Sequence, residues 1–283
     1  MAAIAYVNGR FSPIEQAVVS IEDRGFQFGD GVYEVLRTYG GRLHAMDAHL
    51  RRLFRSLEAI ELKHHYTSAE IERIIRESVQ RAGLVESLIY VQITRGAGKR
   101  SKEFPQGVSP TLVITVREME PRAPALRADG ARIMTARDLR WQRCDIKSIC
   151  LLPNVLVFNR AKAAGFHEAV FVEDDETIAE CCSANIFIVK GGRVATPPRS
   201  TRILGGVTRE EVIALAGKHG VPLEERPVSL AELRGADEVF LTGTTIEVLP
   251  VTQVDEQPVG DGKPGPITQR LYEIFLSNAL VSA

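Results

Sequence analysis

Lys147 stands in RCDIKSICLL, with Ile146, Ile149, Leu151 and Leu152 around it. Burial among such neighbours penalises an ammonium group and favours the free amine, the nucleophile that condenses with an aldehyde. Two small-residue stretches further on suit an anion. Gly205-Gly206-Val207-Thr208 opens an expected helix, where free backbone N–H groups and the positive end of the dipole attract negative charge and glycine permits close approach. Thr242-Gly243-Thr244-Thr245 follows an expected strand and offers further small donors. Together these features suit a phosphorylated cofactor. Singly, each has a plain structural reading: a surface lysine on a half-buried strand, a tight turn with a helix cap, and for Glu180 a solvated charge.

The elements that must position these groups follow from pattern. Asn8-Gly9 between apolar and aromatic residues signals a hairpin, because a type I′ turn needs two residues at positive φ. Residues 32–39 alternate as a strand. Leu50, Leu53, Phe54, Leu57 and Ile60 recur at helical spacing. Thr67 and Glu70 form a capping box ahead of Ile71, Ile74, Ile75 and Val79, with Gly83 as terminator. Stretches 88–94 and 111–116 are rich in β-branched residues and read as strands. Composition shifts at 118–130, where prolines and charge replace any periodic apolar face, and this marks a boundary. The second half reads as strand ARIMTA, a helix over 153–164, strand 168–172, a hairpin around Gly191-Gly192, a helix within 204–220 and a strand from 238. The spacing predicts a two-domain α/β or α+β protein.

With 283 residues, 45% hydrophobic and 25% charged, the chain has room for two ordinary domains. A formal net charge of -1 gives no broad basic field, so neither a nucleic-acid backbone nor an anionic membrane is expected as partner. Small molecules are. The N-terminus lacks a secretory pattern, no stretch approaches the length of a membrane span, and a cytoplasmic location is expected. Four cysteines, Cys144, Cys150, Cys181 and Cys182, are too unevenly placed for a disulfide framework, and neither Cys-x-x-Cys nor a His cluster supplies a metal site.

Eight segments in order, DRGFQFGDGVYEVLRTY (23–39), HLRRL (49–53), TRGAGKRSKEFP (94–105), RWQRCDIKSICLL (140–152), EAVF (168–171), AECCSANIF (179–187), RILGGVTR (202–209) and FLTGTTIEVLPV (240–251), resemble the D-amino-acid aminotransferases. These are fold-type IV pyridoxal-phosphate enzymes, grouped with branched-chain aminotransferases and aminodeoxychorismate lyases. The resemblance implies a small N-terminal α/β domain (1–120), a linker (121–130) and a larger C-terminal, mixed β-barrel-like cofactor-binding domain (131–283). It also implies a homodimer. By the same resemblance Lys147 carries pyridoxal 5′-phosphate covalently and then moves the proton, and Glu180 pairs with the pyridine nitrogen. Arg52, Val207, Thr208 and Thr244 hold the phosphate, Leu204 packs against the ring, and Arg140 lies near the phenolic oxygen.

For substrate, the resemblance assigns Tyr33 and the 95–103 loop to the α-carboxylate. Arg100 stands at the family's arginine, a side chain suited to bidentate carboxylate binding. Where the family pattern is Arg-x-His this chain has Arg100-Ser101-Lys102, so Lys102 replaces an imidazole with a longer, permanently charged donor. The same loop reads equally as an ordinary solvated basic turn. The implied reaction is transamination between a D-amino acid and 2-oxoglutarate or pyruvate. The alternatives on the same scaffold are a branched-chain L-amino-acid or amine transaminase and an aminodeoxychorismate lyase. A protein that binds the cofactor without turnover is the alternative outside enzymology.

Overall fold

The computed structural model describes residues 3–120 and 124–282. The chain divides into two compact units. The first holds the described residues up to Glu120 together with Ile146–Cys150 and the chain end from Leu280. The second holds the remainder up to Asp145 and Leu151–Ala279. Residues 146–150, and with them Lys147, thus group with the first unit although 131–283 was expected to form one domain.

In the first unit, strands β1 (Ile4–Val7) and β2 (Arg10–Pro13) form the expected hairpin, with Asn8 at φ 44° and Gly9 at φ 95°. A short helix, α1 (Arg24–Phe28), is capped by Asp23 and stopped by Gly29 in the left-handed region. Then come β3 (Gly31–Tyr39), β4 (Arg42–Leu43), helices α2 (Met46–Ala59) and α3 (Ser68–Ala82), β5 (Ser87–Thr94) and β6 (Thr111–Glu118). The capping box of Thr67 and Glu70 is present, and Gly83 ends α3 at φ 63°. The six strands run in the order β2-β1-β6-β5-β3-β4, every pair antiparallel. Leu50, Leu53 and Leu57 of α2 and Ile71, Ile74 and Ile75 of α3 bury themselves against Val32, Leu36, Ile89, Val91, Ile93, Leu112 and Ile114. Ile146 joins this core, which is why its segment belongs here. Tyr33 on β3 and Tyr90 on β5 point to the other face and stack with ring centroids 5.6 Å apart.

The second unit contains α4 (Pro124–Asp129), β7 (Ala131–Arg137), α5 (Leu152–Ala163), β8 (Glu168–Val172), β9 (Ile178–Cys181), β10 (Asn185–Lys190), β11 (Arg193–Thr196), α6 (Val207–Lys218), β12 (Leu223–Glu225), α7 (Leu230–Arg234), β13 (Glu238–Gly243), β14 (Glu247–Val254), β15 (Gln257–Pro258) and most of α8 (Pro266–Ser282). Its curled sheet has the order β12-β11-β10-β13-β14-β7-β8-β9, with β15 on β14. The sheet is mixed: β7 pairs parallel with both β14 and β8, whereas β10, β13 and β14 are mutually antiparallel neighbours. The architecture is thus the expected mixed α/β one. Part of the stretch read as an unstructured connector is helical. Leu126 packs on the second core, and Arg127 donates to the Val248 carbonyl (2.6 Å) and to Glu247 (2.8 Å), so α4 is fixed by tertiary contacts that a lack of periodicity conceals. Residues 121–123 of that connector lie outside the described residues.

Candidate active site

In the first unit Lys147 is half-buried, flanked by buried Ile146 and Ser148. The full apolar enclosure expected from its neighbours in sequence is therefore not what surrounds it. Its peptide is held at both ends. The Tyr33 N–H donates to the Lys147 carbonyl (2.9 Å), and the Lys147 N–H donates to Ser56 Oγ (3.3 Å). Ser148 forms a bridge to Val32, and the Ile149 N–H donates to the Gly31 carbonyl (3.1 Å). This docks the lysine on the first residues of β3. Its Nζ then lies 4.3 Å from the centroid of the Tyr33 ring, within range of a cation–π attraction. A primary amine is presented over an aromatic face on a backbone that cannot drift.

Beneath it lies a buried charged triad. Glu34 follows Tyr33 and so points to the opposite, core-facing side of β3, among Val32 and Leu36. Arg52 donates from Nε and Nη2 to the two Glu34 oxygens, each at 2.7 Å, and His49 Nδ1 lies 2.7 Å from Glu34 Oε2. Three residues apart on α2, His49 and Arg52 share a face. Burial pushes the Glu34 carboxyl up, but the Arg52 charge and the hydrogen bonds from Arg52 and His49 pull harder and take it down to about 2. The His49 ring is held below its ordinary value by burial, with the Arg52 and Lys147 charges acting in the same direction against Glu34. Glu34 is therefore the anchor that orients Arg52.

Glu34→Gln should leave Arg52 buried without its counter-charge and destabilise the protein by about 3–5 kcal/mol, read as a lowered denaturation midpoint. The sign with pH follows from the depressed carboxyl. Its stabilising effect is complete above its ordinary value of 4.5 and is lost as pH falls toward about 2. The variant should lack this part of the acid sensitivity. An unchanged midpoint would show that the triad is not stabilising.

In the second unit Glu180 ends a buried strand, β9. Its Oε1 accepts from Arg140 Nη1 (2.6 Å), and its Oε2 accepts from the Leu204 N–H (3.0 Å) and Asn185 Nδ2 (3.2 Å). Arg140 is itself tied by Nε and Nη2 to Asp138 and by Nη2 to the Arg202 carbonyl (3.0 Å). Burial draws the Arg140 guanidinium down, but the Asp138 hydrogen bond and the Glu180 charge outweigh it and raise it. Arg140 thus sits behind Glu180 as its orienting cation, whereas the resemblance puts it near a phenolic oxygen.

Asn185 links this carboxylate to the glycine stretch, since it also donates to the Leu204 carbonyl (2.9 Å). A Cβ on Gly206 would lie 2.0 Å from Asn185 Oδ1, so only glycine leaves room for that bridge. No side chain caps α6 at Gly206, and Thr208 in its first turn is buried. An uncapped helix start needs donors satisfied from outside, which fits an anion. At the end of β13, just before Thr244, the buried Thr242 Oγ1 has no hydrogen-bond partner among the described residues. A buried hydroxyl left unpaired is costly unless something else completes it. Glu180, Leu204, Val207, Thr208 and the 242–245 stretch therefore supply a fixed carboxylate and unspent donors of the kind a phosphorylated heterocycle requires.

Lys102 is exposed, and Arg100 rests its guanidinium 4.8 Å above the Phe28 ring. The residues that pattern reading missed are those behind the expected ones: Glu34, His49, Asp138 and Asn185. One signal was available. An acid at the apolar-face position of strand 32–39 must find a buried cation.

Residues 31–254 match the family described as Amino-transferase class IV. The chain is 40% identical over 272 residues to a D-alanine aminotransferase of Listeria monocytogenes serotype 4b, covering 95% of this chain and 94% of that one. It is 38% identical over 275 residues to one of Bacillus licheniformis, covering 97% and 96%. Its fold superposes on a T.th. branched-chain amino acid aminotransferase solved with pyridoxamine 5′-phosphate at a TM-score of 0.92, with 27% identity and coverage of 100% and 96%. With a poised lysine on one unit, a buried and oriented glutamate on the other, and these likenesses along nearly its whole length, the chain belongs to the class IV aminotransferases.

Proposed function

We propose that this aminotransferase uses pyridoxal 5′-phosphate to move an amino group between a D-amino acid and a 2-oxo acid, 2-oxoglutarate or pyruvate. The observation that carries the reading is the Lys147 amine held over Tyr33 by backbone bonds on both sides. The D-alanine aminotransferases at 38–40% identity support the substrate class. When bound, the cofactor supplies an aldehyde carbon and a conjugated ring that accepts the electrons of a carbanion. Lys147 binds that carbon; once displaced by substrate, its amine takes the α-proton and delivers it back on the cofactor side. Glu180, fixed by Arg140 and Asn185, holds positive charge on the pyridine nitrogen. Arg52, set by Glu34, joins Val207, Thr208 and Thr244 at the phosphate, and Leu204 packs on the ring. Tyr33, Arg100 and Lys102 receive the α-carboxylate.

The test is to feed D-alanine and L-leucine separately with 2-oxoglutarate and measure the glutamate formed. D-alanine should be consumed. Turnover of L-leucine alone would assign the branched-chain reaction instead, and release of pyruvate from aminodeoxychorismate without an amino acceptor would assign the lyase.

We also propose that the chain works as a homodimer in the cytoplasm. Exposed Val18, Ile21 and Phe26 on the first unit, and Leu152, Val155 and Leu156 on the second, are apolar surface that a second copy would cover. Four free thiols suit a reducing compartment, and no described helix is long and apolar enough to cross a membrane. Light scattering should give twice the mass of the chain; a monomer would contradict the assembly.

A further inference from the structure

The segment DRGFQFGDG (23–31) takes no part in the chemistry of Lys147 or Glu180, yet it buries an arginine. The Arg24 side chain is only 5% exposed and donates from Nε to Asp30 Oδ2 (2.8 Å). Its Nη1 donates to the carbonyls of Ser101 (2.5 Å) and Glu103 (3.3 Å), on either side of Lys102. Its guanidinium lies 4.8 Å from the Phe28 ring centroid, and Arg100 lies over the same ring at the same distance. Arg95 grips the loop from the other end. It donates to both Asp30 oxygens, and its guanidinium covers the Phe104 ring at 3.7 Å. One carboxylate, Asp30, therefore anchors two buried arginines that each hold the 96–105 loop.

The base of that loop is fixed as well. The Arg24 N–H donates to the Gly96 carbonyl (2.9 Å) and the Gly98 N–H donates to the Glu22 carbonyl (3.1 Å). Gly96 has φ +91°, and a Cβ there would lie 2.0 Å from the Ser109 carbonyl oxygen, so the loop leaves the sheet by one route. The burial cost of Arg24 is met by Asp30, whose carboxyl, raised by burial, is brought below its ordinary value by Arg95 and Arg24. That negative charge also lets two guanidiniums share the Phe28 ring without net repulsion. A solvated arginine at a loop tip would have to give up its freedom on every substrate encounter, and an arginine already seated on a ring gives up less.

We propose that Arg24, Phe28 and Asp30 are positioning residues for the substrate α-carboxylate, holding the 96–105 loop and the Arg100 guanidinium in the geometry that receives it. This rests on the reading that Arg100 binds that carboxylate. Amino donors and 2-oxo acceptors carry the same group, so both half-reactions depend on the device. Loss of such pre-set binding raises KM and leaves kcat largely intact.

The experiment measures KM and kcat for D-alanine and for 2-oxoglutarate in the holoenzyme, with melting temperature alongside, for Arg100→Met, Arg24→Met, Phe28→Leu and the Arg24→Met/Arg100→Met double variant. Arg24→Met should raise both KM values about tenfold or more, Phe28→Leu less but in the same direction. On the Arg100→Met background, Arg24→Met should add less than about twofold, because residues that act through one another are not additive. An equal rise on both backgrounds, or a fall in kcat with KM unchanged, would make Arg24 merely structural and overturn the proposal. If Arg24→Met does not fold, the same comparison with Phe28→Leu decides: no KM rise, or an additive one, overturns it. If Arg100→Met leaves KM unchanged, or the wild type is inert on D-alanine, the carboxylate reading falls and this inference with it. If Arg100→Met raises KM while the Arg24 and Phe28 variants do not, only the positioning role falls.

Discussion

Lys147→Ala should lower transamination by about 10⁴-fold or more, since one positioned amine both carries the cofactor and transfers the proton, and acid–base transfer by such a group alone contributes about 10²- to 10⁴-fold. The fold should survive. The Lys147 segment is held by its backbone, through the Tyr33 N–H, Ser56 Oγ and the Ser148 bridge to Val32, and Ile146 rather than Lys147 fills the core. The variant should therefore melt close to the wild type while losing turnover in both directions. The check is single-turnover kinetics with D-alanine, together with the visible absorbance of the bound cofactor. A rate near that of the wild type would reject the assignment of Lys147.

The second large effect is expected at Glu180. Glu180→Gln keeps the shape of the side chain but removes the charge that faces Arg140 and that accepts from the Leu204 N–H and Asn185. Without a fixed carboxylate at the pyridine nitrogen the ring is a poorer electron sink, and kcat should fall by about 10²- to 10³-fold, the range for loss of one pre-set electrostatic partner. Arg140 keeps Asp138 as counter-ion, so the stability loss should be smaller than that of Glu34→Gln, where Arg52 loses a carboxylate that takes two of its donors. The distinction from Lys147→Ala is chemical: the Glu180 variant should still attach the cofactor through Lys147. A kcat near the wild-type value would remove Glu180 from the ring nitrogen.

What was legible in the residues was local. Asn8-Gly9 dictates its hairpin because two adjacent positive φ values are needed there, and Thr67 with Glu70 dictates the start of α3 because both capping partners lie within one turn. The apolar rows of α2 and α3 read directly as the helix faces that cover the first sheet. Other elements are silent in pattern. Helix α1 has five residues, too few to show a period, and β14 carries Pro250 inside it, which argues against a strand until its pairing with Phe240 is seen.

The site divides in the same way. Lys147, Glu180 and the Gly205-Gly206 stretch stand out by residue type. What orients them does not, because Ser56 is 91 positions from Lys147, Arg140 is 40 from Glu180, and Arg24 reaches 77 positions to Ser101. Such pairs are set by the register of β3 and by the path of the chain, not by neighbours in sequence. The grouping of Ile146–Cys150 with the first unit is the same effect on a larger scale.

The central claim is that the Lys147 amine is the group bonded to the cofactor. Borohydride reduction of the holoenzyme, followed by proteolysis and mapping of the pyridoxyl label, tests it directly. The account predicts the label on Lys147 and on no other residue; a label on a different lysine, or none at all, would contradict it.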